Sequence, residues 1–121
     1  MKIIPILHCK NMQRSLEFYT IILDFILRHP GTTADEPVVT IVNEGAGIQL
    51  SIIDGTPAIA INIETDDVDG LFKKYLQRGL DTSGKENSPV HQGPIDQTWG
   101  WREFYVTDPD GNTLRFRKLI N

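Results

Sequence analysis

One cysteine, three histidines and no long apolar run are all that these 121 residues offer to several common kinds of chemistry. A lone thiol, Cys9, cannot close an intramolecular disulfide. That excludes a disulfide-stapled scaffold and suits a reducing compartment. His8, His29 and His91 lack the paired spacing of a metal-binding motif, and no nucleophile stands in a recognisable elbow or helix-tip setting. No stretch approaches the roughly 20 apolar residues that span a bilayer. The opening "MKIIPILHCK" imitates a signal peptide only faintly, since its apolar run is short, is broken by Pro5 and precedes no small-residue cleavage pattern. A cytoplasmic protein with no membrane partner is expected.

Clustered positive charge is missing too. Twelve Lys and Arg are scattered among sixteen Asp and Glu, for a net charge of −4. Phosphate backbones require clustered cations, so nucleic acid is not an expected partner. The mild acidity can favour a cationic ligand or serve solubility alone.

What the chain does contain is a pattern stated twice. At this length a real hydrophobic core is affordable, and one domain is expected over residues 1–121, with module one about 1–55 and module two about 56–121. The first module opens with "IIPILHC", whose alternation puts Ile4, Ile6 and His8 on one face and Ile3 and Leu7 on the other. Cys9 alternates with them to the helix-facing side, as a small core residue. Asn11 then suits the N-cap of a helix whose apolar positions are Met12, Leu16, Tyr19 and Leu23. Three strand-like runs follow: "DFILRH", "PVVTIVN" and "GIQLSII".

The second module repeats the order. "AIAINIE" alternates strictly, Asp67 caps a helix with Val68, Leu71, Phe72, Tyr75 and Leu76 on one face, and Gly79 supplies its C-terminal turn. "REFYVTD" and "NTLRFRKL" flank the turn "DPDG". Before them, "DTSGKENSPVHQGPIDQ" is long and polar for a connection and is expected to hold a short edge strand and a functional loop. Laying Asn11-Met12 on Asp67-Val68 brings Tyr19 onto Tyr75. Such internal correspondence points to a duplicated unit.

Three segments, "NMQRSLEFYTIILDF" (11–25), "IETDDVDGLFKKYLQRG" (63–79) and "WGWREFYVTDPDGNTLRF" (99–116), resemble the vicinal-oxygen-chelate superfamily. That superfamily contains glyoxalase I, extradiol dioxygenases, fosfomycin-resistance enzymes and bleomycin-resistance proteins. The pairing of "WG" with "REF" is more typical of the bleomycin-resistance branch. The resemblance implies an α+β fold: two βαβββ modules forming a cup-shaped mixed sheet, with helices on the outer face and a ligand in the hollow. It also implies a homodimer, possibly module-swapped.

Superfamily enzymes hold a divalent metal through one residue from each of four strands. Carried over residue by residue, those positions are Ile4, Gln49, Ala60 and Arg115. Hydrocarbon has no lone pair to give, and a guanidinium is a fixed cation. Gln49 alone can coordinate, whereas such ions want several His or carboxylate ligands. No metal and no other cofactor is therefore expected.

Alternation from those four positions extends the hollow-facing set to Ile6, His8, Ser51, Asn62, Glu64 and Arg117. A hairpin about "DPDG" pairs Tyr105 with Arg115 and Glu103 with Arg117, leaving Phe104, Val106, Leu114 and Phe116 for the core. Arg115 beside Tyr105 can clamp a carboxylate or stack on a planar group, and a Glu103 cross-strand pair with either arginine can equally be mere sheet stabilisation. In the resemblance, Trp99 matches the tryptophan that helps clamp the flat part of a drug. Trp101 can face ligand, core or interface.

The expected function is metal-free capture of a small organic ligand, a planar or cationic antibiotic-like compound, by Trp99, Trp101, Tyr105, Arg115, Glu103, Gln49, Asn62 and His8. No catalytic residue is expected. Glu64 and Glu103 would attract cationic groups. The alternative is a glyoxalase-type lyase or isomerase with an unconventional site, whose acid–base groups would be Glu103, Tyr105 and His8.

Overall fold

A computed structural model describes residues 1–83 and 93–120. It divides into two compact units, Met1–Ile59 and Ala60–Asn121. Residues 84–92, which include His91 and most of the long polar connection, lie outside the described residues.

The first unit runs β1 (Ile6–His8), α1 (Met12–Glu17), a π-helical turn (Phe18–Ile22), β2 (Ile26–Leu27), β3 (Val38–Asn43) and β4 (Ala46–Ser51). Its sheet has the order β1-β4-β3-β2, with β1 parallel to β4 and the other pairs antiparallel. Asn11 starts the helix as anticipated: its backbone is extended and its side-chain oxygen accepts the Arg14 N–H at 2.9 Å. Met12, Leu16, Tyr19 and Leu23 are all buried, together with Leu7, Cys9, Val39, Ile41, Ile48 and Leu50 of the strands. Burying each large aliphatic side chain contributes roughly 1.5–3 kcal/mol, so this apolar layer is what holds helix to sheet. Two details differ from the sequence reading. The run "DFILRH" forms only a two-residue strand, with Phe25 turned into the core against Tyr19. The helix also loosens at its end, where the Leu23 N–H reaches back five residues to the Phe18 carbonyl.

The second unit runs β5 (Ala60–Glu64), α2 (Val68–Gln77), β6 (Ile95–Asp96), β7 (Trp101–Thr107) and β8 (Thr113–Leu119), in the sheet order β5-β8-β7-β6. Asp67 accepts the Gly70 N–H at 2.9 Å and caps α2. Gly79 ends the helix with φ +99°, a left-handed conformation, while the Leu80 N–H bonds the Tyr75 carbonyl. Phe104 and Phe116 face each other across β7 and β8 and stack with ring centroids 5.0 Å apart. Tyr75 of α2 meets both edge-on. Leu76, assigned by periodicity to the buried face, is instead 42% exposed, and the fully buried positions of the helix are Val68 at its start and Tyr75 in its last turn.

Each unit is thus a helix packed on one face of a four-stranded mixed sheet, in the βαβββ order, and the fold is α+β. The expected edge strand exists as β6. No helix among the described residues is long and apolar enough to cross a membrane.

Candidate ligand-binding face

Because Phe104, Val106, Leu114 and Phe116 point toward α2, strict alternation sends Trp101, Glu103 and Tyr105 of β7, and Arg115 and Arg117 of β8, to the opposite face. The pairing anticipated from the "DPDG" turn is the observed one: Tyr105 beside Arg115 and Glu103 beside Arg117. On the other side of β8, Asn62 lies beside Arg115 and Glu64 beside Arg117.

The hairpin register is fixed at the turn. Asp108 is 2% exposed, and its Oδ1 accepts the N–H groups of Asp110 and Asn112, each at 2.9 Å. Its Oδ2 accepts the Asn112 side-chain amide, also at 2.9 Å. A slip of one residue would turn every polar side chain of this face into the apolar layer, so the turn bonds and the core enforce the same register.

Two cation–ring contacts organise the face. The Arg117 guanidinium carbon lies 3.6 Å from the Trp101 ring centroid, and that of Arg115 lies 5.1 Å from the Tyr105 centroid. Between them Glu103 is 2% exposed. Its Oε1 accepts the Tyr105 hydroxyl at 2.9 Å, and its Oε2 lies 3.6 Å from the Arg117 Nε, close enough for an ion pair but not for a hydrogen bond. Burial chiefly, then the hydrogen bond to Glu103 and its negative charge, push the Tyr105 hydroxyl above its ordinary value of 10.0. Tyr105 therefore stays protonated and points its proton at Glu103.

This arrangement alters the roles assigned from sequence. Glu103 was expected to draw in cationic groups, but both its oxygens are engaged within the sheet and almost no surface remains. The same engagement removes Glu103 and Tyr105 as a free acid–base pair. Trp101, open between ligand, core and interface, serves as the platform for Arg117. The Tyr105–Glu103 hydrogen bond went unforeseen, although residues two apart on a strand share a face and the signal was available.

Trp99 is 57% exposed. It occupies a tight turn between β6 and β7, closed by the Gly100 N–H on the Gln97 carbonyl at 3.2 Å and the Gln97 N–H on the Trp101 carbonyl at 2.8 Å. Gly100 has φ +89°, which a side chain would resist. The turn fixes the strand that presents Trp101 and holds Trp99 outward.

His8 and Gln49 belong to the first unit, on the face of its sheet away from α1. There Ile6 lies beside Gln49 and His8 beside Ser51. Ile4 precedes β1, and its side chain lies over Gly47, 3.4 Å from where a Cβ would stand. Within the second unit Ala60 pairs with Thr113 and Asn62 with Arg115. The positions that the resemblance assigns to a metal, Ile4 and Gln49 in the first unit and Ala60 and Arg115 in the second, thus carry two hydrocarbons, one amide and one guanidinium. Among the described residues no group of three or more His, Cys, Asp or Glu is placed to hold a metal ion. The residues present do not fit the metal.

Elsewhere on β7, Arg102 faces α2. Its guanidinium donates to both carboxylate oxygens of Asp69, at 2.8 and 3.0 Å, and to Asp96 of β6 at 2.9 Å. Sequence periodicity gave no sign of this clamp, which joins the helix start to the edge strand.

The family model described as "Glyoxalase/Bleomycin resistance protein/Dioxygenase superfamily" matches residues 5–116. No curated protein matches the chain in sequence. Among solved structures, a bleomycin resistance determinant encoded on the transposon Tn5 superposes with a TM-score of 0.79 at 17% identity, over 98% of each chain. A bleomycin-binding protein in complex with bleomycin gives 0.77 at 17% identity, again over 98% of each chain. The bleomycin-binding protein of Streptomyces verticillus, bound to copper(II)-bleomycin, gives 0.71 at 21% identity, over 96% of this chain and 93% of its own. At such identities the likeness establishes a shared fold.

Proposed function

From a chain that belongs to the glyoxalase/bleomycin resistance protein/dioxygenase superfamily yet carries Ile4, Gln49, Ala60 and Arg115 at its metal positions, we propose stoichiometric capture of a small planar organic molecule without a metal. One observation carries this reading. On one face of the second sheet, aromatic rings and guanidinium groups meet as two cation–ring pairs, Trp101 with Arg117 and Tyr105 with Arg115. Flat, polarisable surfaces of this kind stack on flat guests, at roughly 0.5–2 kcal/mol per contact. The exposed Trp99 is the candidate clamp, with Asn62 at the edge of the wall. Sequestration of an antibiotic-like compound is the biological role this supports, in keeping with the bleomycin-binding proteins that share the fold. The functional form is a homodimer acting in the cytoplasm; light scattering at micromolar concentration should return twice the monomer mass.

Intrinsic tryptophan fluorescence provides the test, with bleomycin and the uncharged aromatic 1-naphthamide as probes. Saturable quenching at one probe per chain by either compound is expected, much weakened in Trp99→Ala. Added Zn, Ni or Mn should leave the melting temperature unchanged. A melting temperature raised several degrees by one of these ions would overturn the metal-free reading, and absence of quenching by both probes would overturn capture.

A further inference from the structure

We infer that Arg115 is an anion receptor, and that the guest of this face is a planar acid carrying a carboxylate beside its ring. The inference rests on the capture reading above and names the chemical class of the guest.

The two arginines of the face are not equivalent. Arg117 has a stacked indole on one side and the Glu103 carboxylate 3.6 Å from its Nε. Arg115 has the Tyr105 ring alone: among the described residues it makes no hydrogen bond and no ion pair, and its Nε, like that of Arg117, is buried without a hydrogen-bond acceptor. Glu103, the buried acid nearest in the register, is committed to Tyr105 and Arg117. Glu64, the exposed acid of β5, lies in register with Arg117 and not with Arg115.

A partly buried guanidinium gives up part of its hydration, and one ring contact offsets little of that loss. Sheets that keep such a group for stability supply a counter-ion beside it, as this sheet does for Arg117. Arg115 sits mid-strand in β8, where its outer nitrogens form a planar fork suited to a carboxylate. Its β5 neighbour, Asn62, is exposed and brings two amide hydrogens to the same spot. Its β7 neighbour, Tyr105, donates its hydroxyl hydrogen bond to Glu103 and presents a ring face to Arg115. Cation, amide donor and ring thus meet in consecutive register positions across three strands. A carboxylate attached to a flat ring satisfies all three at once. A cationic guest would meet Arg115 directly, and Glu103, the buried acid beside it, is already engaged.

The test compares three probes of nearly one shape, 1-naphthoate, uncharged 1-naphthamide and cationic 1-naphthylmethylammonium, by tryptophan quenching on the intact protein at low salt. At least tenfold tighter binding of naphthoate than of the amide is expected, with the ammonium weakest. Arg115→Gln should erase that preference, so that naphthoate and naphthamide bind alike, and Arg115→Lys should restore part of it. Circular dichroism of both variants checks the fold; should Arg115→Gln unfold, Asn62→Leu must lower naphthoate affinity selectively. Equal binding of naphthoate and naphthamide, preference for the ammonium, or a preference that survives in Arg115→Gln would overturn the anion receptor while capture of planar guests stands. Failure of all three probes to bind would overturn the anion receptor, and capture with it where bleomycin also fails to quench.

Discussion

Arg117 lies over Trp101, its guanidinium carbon 3.6 Å from the ring centroid, while the carboxylate of Glu103 approaches the same guanidinium from the neighbouring register position. The two tryptophans of "WGW" therefore have different duties. One is a wall of the sheet, and the other stands out from a turn.

Trp101→Leu should lower the unfolding free energy by about 1–2 kcal/mol, the sum expected for a lost cation–ring contact and lost ring burial. Trp99→Ala should cost no more than about 0.5 kcal/mol, as exposed substitutions do. Urea denaturation of both variants checks the order, and a costlier Trp99 would contradict the assignment.

Glu103→Gln should lower the titration point of Tyr105, because a charged hydrogen-bond acceptor beside the phenol is replaced by a neutral one. Burial, the largest cause of the upward displacement, remains, so the value should stay above the ordinary 10.0. Absorbance at the phenolate wavelength reads it directly. The sign for stability follows. A pKa raised in the folded state contributes stability below pH 10, lost as pH climbs through the folded value, and Glu103→Gln should flatten that alkaline decline.

The clamp of Arg102 holds the Asp69 carboxyl below its ordinary value of 3.8, through the hydrogen bond and, to a lesser degree, the charge. A depressed carboxylate contributes stability above pH 3.8 that disappears as pH falls through the folded value. Both partners keep a third or more of their side-chain surface in water, so Asp69→Asn should cost less than about 1 kcal/mol at neutral pH. The gap from the parent protein should close in acid, as measured by thermal melts across pH 2–7.

Asp108→Ala should be far costlier, about 2–4 kcal/mol, since it strands the buried Asn112 N–H and amide that the carboxylate now satisfies. Asp108→Asn should retain part of the turn. Comparable stability of the parent and the alanine variant in urea would refute the role given to this residue.

Much of this was legible in the chain. Period-two and helical spacing, the caps Asn11 and Asp67 and the "DPDG" turn are local physics, and together they specified two helix-on-sheet units, the register of the last hairpin and the hydrocarbon at Ile4 and Ala60. They also specified which residues of β7 and β8 share a face, since alternation leaves no choice once the core side is known. What only the tertiary structure decided is who is partnered on that face. Alternation places Glu103 near both arginines and says nothing of which it serves. That outcome depends on side-chain reach, ring stacking and burial across three strands, and these gave the carboxylate to Tyr105 and Arg117 and left Arg115 with a ring alone. The Arg102 clamp belongs to the same class, because Asp69, Asp96 and Arg102 meet only when helix and edge strand are packed together.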